Sequence, residues 1–138
     1  MSKIDLKECP CSGKNISTFV APWILLILHE NEGSHGYEIQ KMILPHLREL
    51  GFGLNLGGLY RHLNILEKRG VLTSTWDTST PGPARRQYFL TESGKECLWR
   101  WMNTLSVHAS LIGKFMDVAR RTFSNALLPK VVITSDQL

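Results

Sequence analysis

Gly58-Leu59-Tyr60-Arg61-His62-Leu63-Asn64-Ile65-Leu66-Glu67-Lys68-Arg69-Gly70-Val71-Leu72 decides the architecture of this 138-residue chain. Leu59, Leu63 and Leu66 fall at i, i+4 and i+7, one apolar stripe of a helix. The other face carries Tyr60, Arg61, His62, Asn64 and Lys68, all able to donate hydrogen bonds. Asn55 is placed to cap this helix, and Gly70 ends it where a left-handed residue is wanted. A β-rich run follows at once. Residues 71–76 read as one strand and 87–90 as its return. Between them, Asp77-Thr78-Ser79-Thr80-Pro81-Gly82-Pro83-Ala84 is turn chemistry, followed by Arg85-Arg86 at the shoulder of the hairpin. A short helix with a donor-rich face, leading straight into a hairpin, is how a winged helix-turn-helix meets DNA.

N-terminal to this stretch, residues 1–17 are polar and broken by Pro10 and Gly13, which predicts a flexible arm. Ser17 or Thr18 is expected to cap a helix running through Val20-Ala21-Pro22-Trp23-Ile24-Leu25-Leu26-Ile27-Leu28-His29, with Pro22 tolerated in the first turn. Its near-continuous apolarity places it at the centre of the fold. Gly33-Ser34-His35-Gly36 breaks it and starts a second helix, from Tyr37 to about Glu49. Tyr37, Ile39 or Gln40, Ile43 or Leu44, and Leu47 are its expected inner face, and Pro45 should interrupt or bend it.

From Thr91-Glu92-Ser93-Gly94 the pattern changes to apolar residues repeating by sevens. Leu98, Leu105, Ile112 and Ala119 form one column; Trp101, His108, Phe115 and Thr122 a second; Met102, Ala109, Met116 and Phe123 a third. A strip sustained for about three and a half heptads is a packing seam. A winged-helix core is too small to cover a helix of roughly 45 Å. A second copy of the chain is the simplest cover, with Leu98, Leu105, Ile112, Phe115, Met116, Ala119 and Phe123 at the interface. Gly113, or the step at Ser106-Val107-His108, is where the segment divides if it forms two helices. The fold class is therefore mainly α with a small β hairpin. The flexible arm is residues 1–17, the winged helix-turn-helix 18–90, the dimerisation helix or helices 91–126, and a tail 127–138.

Charge agrees with a polyanionic partner. The chain carries a formal net +4. Residues 55–90 hold five basic side chains (Arg61, Lys68, Arg69, Arg85 and Arg86) against Glu67 and Asp77, a net +3 concentrated on the proposed reading helix and wing. On that face Asn64 suits adenine and Arg61 guanine, Tyr60 suits a phosphate, and His62 flanks it; Lys68, Arg85 and Arg86 complete the DNA-contact set. The longest apolar run, residues 19–28, is too short to span a bilayer, and no signal peptide is visible, so cytoplasm is the expected compartment. No glycine-rich phosphate loop or Ser-His-acid arrangement appears, which speaks against an enzyme, and no cofactor is implied. The rival from another class is a winged-helix module that docks on protein.

Cys9-Pro10-Cys11 fits none of this. Two thiols at this spacing are short of the three or four ligands a metal needs, and Cys97, His29, His35, His46 and His108 offer no spacing that completes the set. A redox pair is the other option, although a disulfide across one residue is strained. Three cysteines are too few and too oddly spaced for a disulfide framework.

The chain resembles the PadR family of bacterial and archaeal transcriptional regulators over about residues 18–125. The resemblance rests on His35-Gly36-Tyr37-Glu38, on Leu59-Tyr60 with Leu63, Leu66, Glu67 and Gly70, and on Trp76. Gly82-Pro83, Arg86, Tyr88 and Leu90-Thr91-Glu92-Ser93-Gly94 complete it. It implies a dimer joined by C-terminal helices that represses nearby genes until a small molecule loosens it from DNA. The chain departs from the family in carrying Arg61 where proline usually follows the Leu-Tyr pair, and Gly58 in place of a common threonine. Arg61 is then an added base or phosphate contact, and the operator differs from those of relatives. Trp99, Trp101, Met102 and Phe115, on or beside the seam, are either interface anchors or the walls of a pocket for a flat aromatic or apolar effector, as in drug-binding relatives.

Overall fold

The computed structural model describes residues 5–13 and 18–123. The elements follow the order α1 (Val20–Glu30), β1 (Ser34–His35), α2 (Gly36–Arg48), α3 (Leu56–Lys68), β2 (Leu72–Asp77), β3 (Arg85–Leu90) and α4 (Glu92–Thr122), after one 3-10 turn at Pro10–Ser12. The chain divides into two compact units, residues 1–95 and 96–138.

The first unit is a winged helix-turn-helix. Its core is built from the stripes that the sequence periodicity predicts: Ile24, Leu25 and Leu28 of α1, Ile39 and Ile43 of α2, and Leu59 and Leu63 of α3 are fully enclosed. The sheet closes over them with Leu72 and Tyr88. Burial of this kind stabilises by about 1.5–3 kcal/mol per large apolar side chain, which outweighs the local signals that the sequence reading relied on. Two corrections follow from that. Thr18 does not cap α1; Phe19 stands at the N-cap with φ 56°, and the other expected cap, Ser17, lies outside the described residues. A cap contributes only about 1 kcal/mol, so the register of Val20, Ile24 and Leu28 against the core sets where α1 begins. Pro45 does not end α2, which continues to Arg48. An interior proline costs about 3 kcal/mol, and burial of Ile43 and Leu47 on either side of it offsets that.

The inner face of α2 is Ile39, Ile43 and Leu47, whereas Tyr37 is exposed. The helix begins at Gly36 because His35 belongs to a strand. This third strand is the larger departure from the expected two-stranded hairpin. Ser34 pairs with Tyr88 and His35 with Gln87, giving an antiparallel sheet in the order β1-β3-β2. Two residues are too few for alternation to reveal a strand. The first hairpin strand is shifted by one residue from the expected range and the return strand is two residues longer: Asp77 pairs with Arg85 and Trp76 with Arg86, so both arginines are strand residues.

Gly70 closes α3 with φ 81°, a conformation that a side chain would strain. Thr91 then fastens the start of α4, its hydroxyl donating to the Gly70 carbonyl (2.7 Å) and accepting from Gly94 N–H (3.1 Å). In the second unit α4 runs unbroken through Ser106-Val107-His108 and Gly113, one helix rather than two. The expected tail, 127–138, and residues 124–126 lie outside the described residues.

Candidate nucleic-acid interface

Asn55 caps α3 as the sequence predicts, its side-chain oxygen accepting from Gly58 N–H at 2.6 Å. With Leu59, Leu63 and Leu66 turned into the core, helical spacing leaves Arg61, Asn64 and Lys68 on the outer face, and all three are exposed. Tyr60 is exposed beside them, and His62 is half-buried at the margin. Ile65 joins the exposed face, an apolar group among donors that the sequence reading passed over.

Tyr60 owes its position to a glycine in another helix. A Cβ placed on Gly36 would lie 2.5–2.8 Å from the Tyr60 ring, so only glycine lets the ring rest against the start of α2. This gives a reason for the glycine of His35-Gly36-Tyr37-Glu38 that no local signal supplied.

The wing is tied to the reading helix through Glu67. Ser74 Oγ donates to one Glu67 carboxylate oxygen (2.5 Å), and Arg86 approaches the other at 3.4 Å. Arg86 also lies over the Trp76 ring, 5.0 Å from its centroid. Successive strand residues point to opposite faces. Arg86 therefore shares the face of Tyr88 and Trp76, while Arg85 points the other way from an exposed position opposite Asp77. Of the two wing arginines, Arg86 contacts Glu67 and Trp76, while Arg85 lies on the other strand face, near enough to Glu38 to help lower its pKa.

A second tie joins wing and α2. His35 Nδ1 lies 2.6 Å from Glu38 Oε1 and Nε2 lies 2.9 Å from Asp77 Oδ2, and both carboxylates accept only when both ring nitrogens carry hydrogen. Glu38 reaches back to accept from the His35 backbone N–H as well (2.9 Å), which lowers its pKa. Asp77 accepts from the hydroxyl and the backbone N–H of Ser79 and faces His35; these hydrogen bonds, that from the Ser79 hydroxyl first, bring its pKa down to about 2. Tyr88, at the floor, is raised by burial.

These ties enclose an open cleft of about 390 Å³ between the start of α2, the reading helix and the wing. Tyr60 and Asn64 line it from α3, Trp76, Arg85 and Arg86 from the wing, and Tyr37 from α2. Tyr37 and Trp76 are 54% and 60% exposed, and Lys41 sits over the Tyr37 ring at 5.3 Å. Aromatic surfaces flanked by cations, with amide and hydroxyl donors between them, suit phosphates and base edges. Four of the residues lining this cleft, Tyr60, Asn64, Arg85 and Arg86, are among those the sequence marks as DNA contacts, whereas Tyr37, Trp76 and the His35 tie carry no such signal in the sequence.

In α4, Leu98 is buried, Trp101, Leu105, Met116 and Ala119 are half-buried, and Met102, Ile112, Phe115 and Phe123 are exposed. Val107, Leu111 and Val118 are exposed too and widen the apolar face beyond the predicted columns. At about 100° per residue Trp101 and Phe115 lie within roughly 40° of each other around the helix, whereas Trp99 falls roughly 160° from Phe115. Cys9 and Cys11 lie at the 3-10 turn, and among the described residues no group of three or more His, Cys, Asp or Glu side chains is arranged to hold a metal ion. No described helix is long and apolar enough to cross a membrane.

The family model for PadR-like transcriptional regulators matches residues 24–100. A solved transcriptional regulator from Clostridium thermocellum is 30% identical, with a TM-score of 0.62 over 70% of this chain and 92% of that one. A PadR family transcription regulator from Clostridium difficile is 25% identical, with a TM-score of 0.59 over 71% of this chain and 98% of that one. One from Eggerthella lenta is 26% identical, with a TM-score of 0.55 over 67% and 80%. No curated protein matches the chain significantly. With the family matched across the reading helix and the wing that form the site, this chain belongs to the PadR-like family and is a DNA-binding transcriptional regulator.

Proposed function

We propose that the protein is a cytoplasmic repressor of genes near its own, bound to a two-fold operator as a homodimer and released by a small aromatic or apolar effector. The observation that carries the DNA-contact assignment is the outward face of α3, where Arg61, Asn64 and Lys68 stand exposed beside Tyr60, with Arg85 exposed on the wing. Asn64 and Arg61 read base edges; Tyr60, Lys68 and Arg85 hold phosphates. Arg86 acts through the wing's position, and His62 stays at the margin. The homodimer reading is supported by Ile112 and Phe115, 62% and 69% exposed on α4, apolar surface of the sort a partner helix covers. The effector is proposed to sit between aromatic side chains of that seam, with Trp101, Met102 and Phe115 as its walls; Trp99 lies off their side of the helix. A regulator with this role needs no catalytic group, consistent with a family of transcription factors.

The test is an anisotropy titration against DNA from the protein's own promoter region at several salt concentrations. Neutralising about six to ten phosphates gives a slope of log affinity against log salt of about −5 to −9. Half-sites should lie roughly 34–36 Å apart or at a multiple of that. Asn64→Ala or Arg61→Ala should cost about 1–3 kcal/mol on the preferred operator and relax discrimination at one position. Binding that ignores salt, or that keeps its specificity after both residues are lost, moves the protein to the protein-docking reading. Affinity unchanged by aromatic effectors that quench α4 tryptophan fluorescence removes the release step alone.

A further inference from the structure

We propose that Cys9 and Cys11 form a redox-active dithiol, with Cys9 as the attacking sulfur and Cys11 as the resolving one, that is oxidised by peroxides and closes to a disulfide. The segment lies outside every DNA-contact and α4 residue named above, and the DNA-binding reading leaves it unexplained. Its geometry is specific. Pro10 starts a single 3-10 turn, Pro10–Ser12, that Gly13 closes with φ 81°. Ser12 N–H donates to the Cys9 carbonyl and Gly13 N–H to that of Pro10, both at 3.0 Å. The turn folds Cys11 back on Cys9, so that Cys11 N–H donates to Cys9 Sγ at 3.5 Å.

That arrangement makes the two sulfurs unequal. The Cys9 sulfur collects donors, first the Cys11 backbone N–H and then the Cys11 thiol, which favour its thiolate and lower its pKa. Cys11 is shifted the other way, its pKa raised by its interaction with the Cys9 side chain, which favours its protonated form. The thiolate is the form that attacks a peroxide, which favours Cys9 as the first nucleophile, and Cys11, two residues away in the same turn, resolves the product as it gives up its proton to the departing hydroxyl. Both cysteines are free, Cys11 exposed and Cys9 half-buried, so an oxidant has access. A cation is the weaker occupant, because two thiols with no third ligand among the described residues make an incomplete site.

In the first step the Cys9 thiolate attacks the outer peroxide oxygen. An S–O bond forms, the O–O bond breaks, and the alkoxide or hydroxide that leaves takes a proton from water. In the second step Cys11 sulfur attacks the Cys9 sulfenic acid. The S–S bond forms, and the hydroxyl leaves as water with the Cys11 proton. The two thiols lose two electrons in all, and the peroxide gains them. A disulfide across a single residue is strained and here exposed, the kind that small thiols reduce readily, so the oxidation is reversible.

The experiment uses the full-length reduced chain, hydrogen peroxide as the probe, and alkylation followed by peptide mass mapping. Of the three cysteines, Cys9 and Cys11 should become inaccessible to alkylation and appear as one linked peptide, while Cys97 remains alkylated. Cys11→Ser should stop at a Cys9 sulfenic acid that dimedone traps, and Cys9→Ser should leave Cys11 alkylatable after the same exposure. Both substitutions fall on a surface turn, and circular dichroism confirms the fold. The proposal is overturned if Cys97 is consumed as fast as the pair. It is equally overturned if Cys9→Ser leaves Cys11 oxidised as before, or if the unmodified chain accumulates sulfenic acid with no linked peptide.

Discussion

The winged-helix unit and α4 use their polar side chains in different ways. In the first, polar contacts span the chain: His35 meets Asp77 across 42 positions, Thr91 reaches Gly70 across 21, and Arg86 reaches Glu67 across 19. Beyond residue 95 the contacts among described residues are those any helix makes with itself, such as Arg100 with Glu96, Ser110 with Ser106, and Arg120 with Asp117. Apolar groups follow the same division. The winged helix encloses the leucines and isoleucines of its core and leaves Leu26, Leu50 and Ile65 exposed, whereas α4 leaves Val107, Leu111, Ile112, Phe115 and Phe123 exposed along one helix. A surface polar pair within a helix adds only about 0.3–0.5 kcal/mol. One unit therefore carries its own specificity of fold, and the other holds apolar surface ready for burial.

The comparison breaks most readily at α4. Leu105→Asp together with Ile112→Asp places uncompensated charge in the proposed seam and should remove several kcal/mol of association free energy. Sedimentation should show a monomer where the unmodified chain is a dimer at micromolar concentration; an unmodified chain that sediments as a monomer removes the dimer outright. Within the winged helix, Gly36→Ala forces a Cβ against the Tyr60 ring and should cost about 1–3 kcal/mol of stability. Thermal unfolding reads that loss, and DNA affinity should fall with it because Tyr60 is displaced. An unchanged melting temperature means that the ring has another place to go.

The two wing arginines sharpen the contrast between holding and contacting. Arg85→Ala should weaken all DNA sequences nearly alike and lower the salt slope by about 1. Arg86→Ala should lower the melting temperature through its lost contacts with Glu67 and Trp76, each about 1 kcal/mol or less. Equal effects of the two on DNA and none on stability contradict the assignment from strand faces.

The smallest effect is the acid limb of stability. Asp77 has a folded pKa of about 2 against an ordinary 3.8, so its favourable contribution is complete above the ordinary value. It is lost as pH falls from about 4 to about 2. Asp77→Asn should therefore flatten unfolding free energy against pH in that window and leave the slope above pH 5 unchanged; a difference confined to higher pH excludes Asp77 as its source.

How much of this was legible in the chain follows from distance along it. The α3 stripe of Leu59, Leu63 and Leu66, the Asn55 cap, the Gly70 stop and the exposed face of Arg61, Asn64 and Lys68 could all be read, because each is set by neighbours within a few turns. Helix periodicity and backbone conformation are local properties. The sequence by itself determined which helix presents donors and where the wing begins. Tertiary structure decided the rest: that Ser34 and His35 add a third strand, that His35 meets Asp77, that Gly36 seats Tyr60, and that Arg85 and Arg86 lie on opposite strand faces. Those outcomes depend on strand register and on the packing of segments far apart in the chain. A one-residue shift in the pairing of Trp76 with Arg86 exchanges the faces of the two arginines, and no neighbouring residue encodes that register.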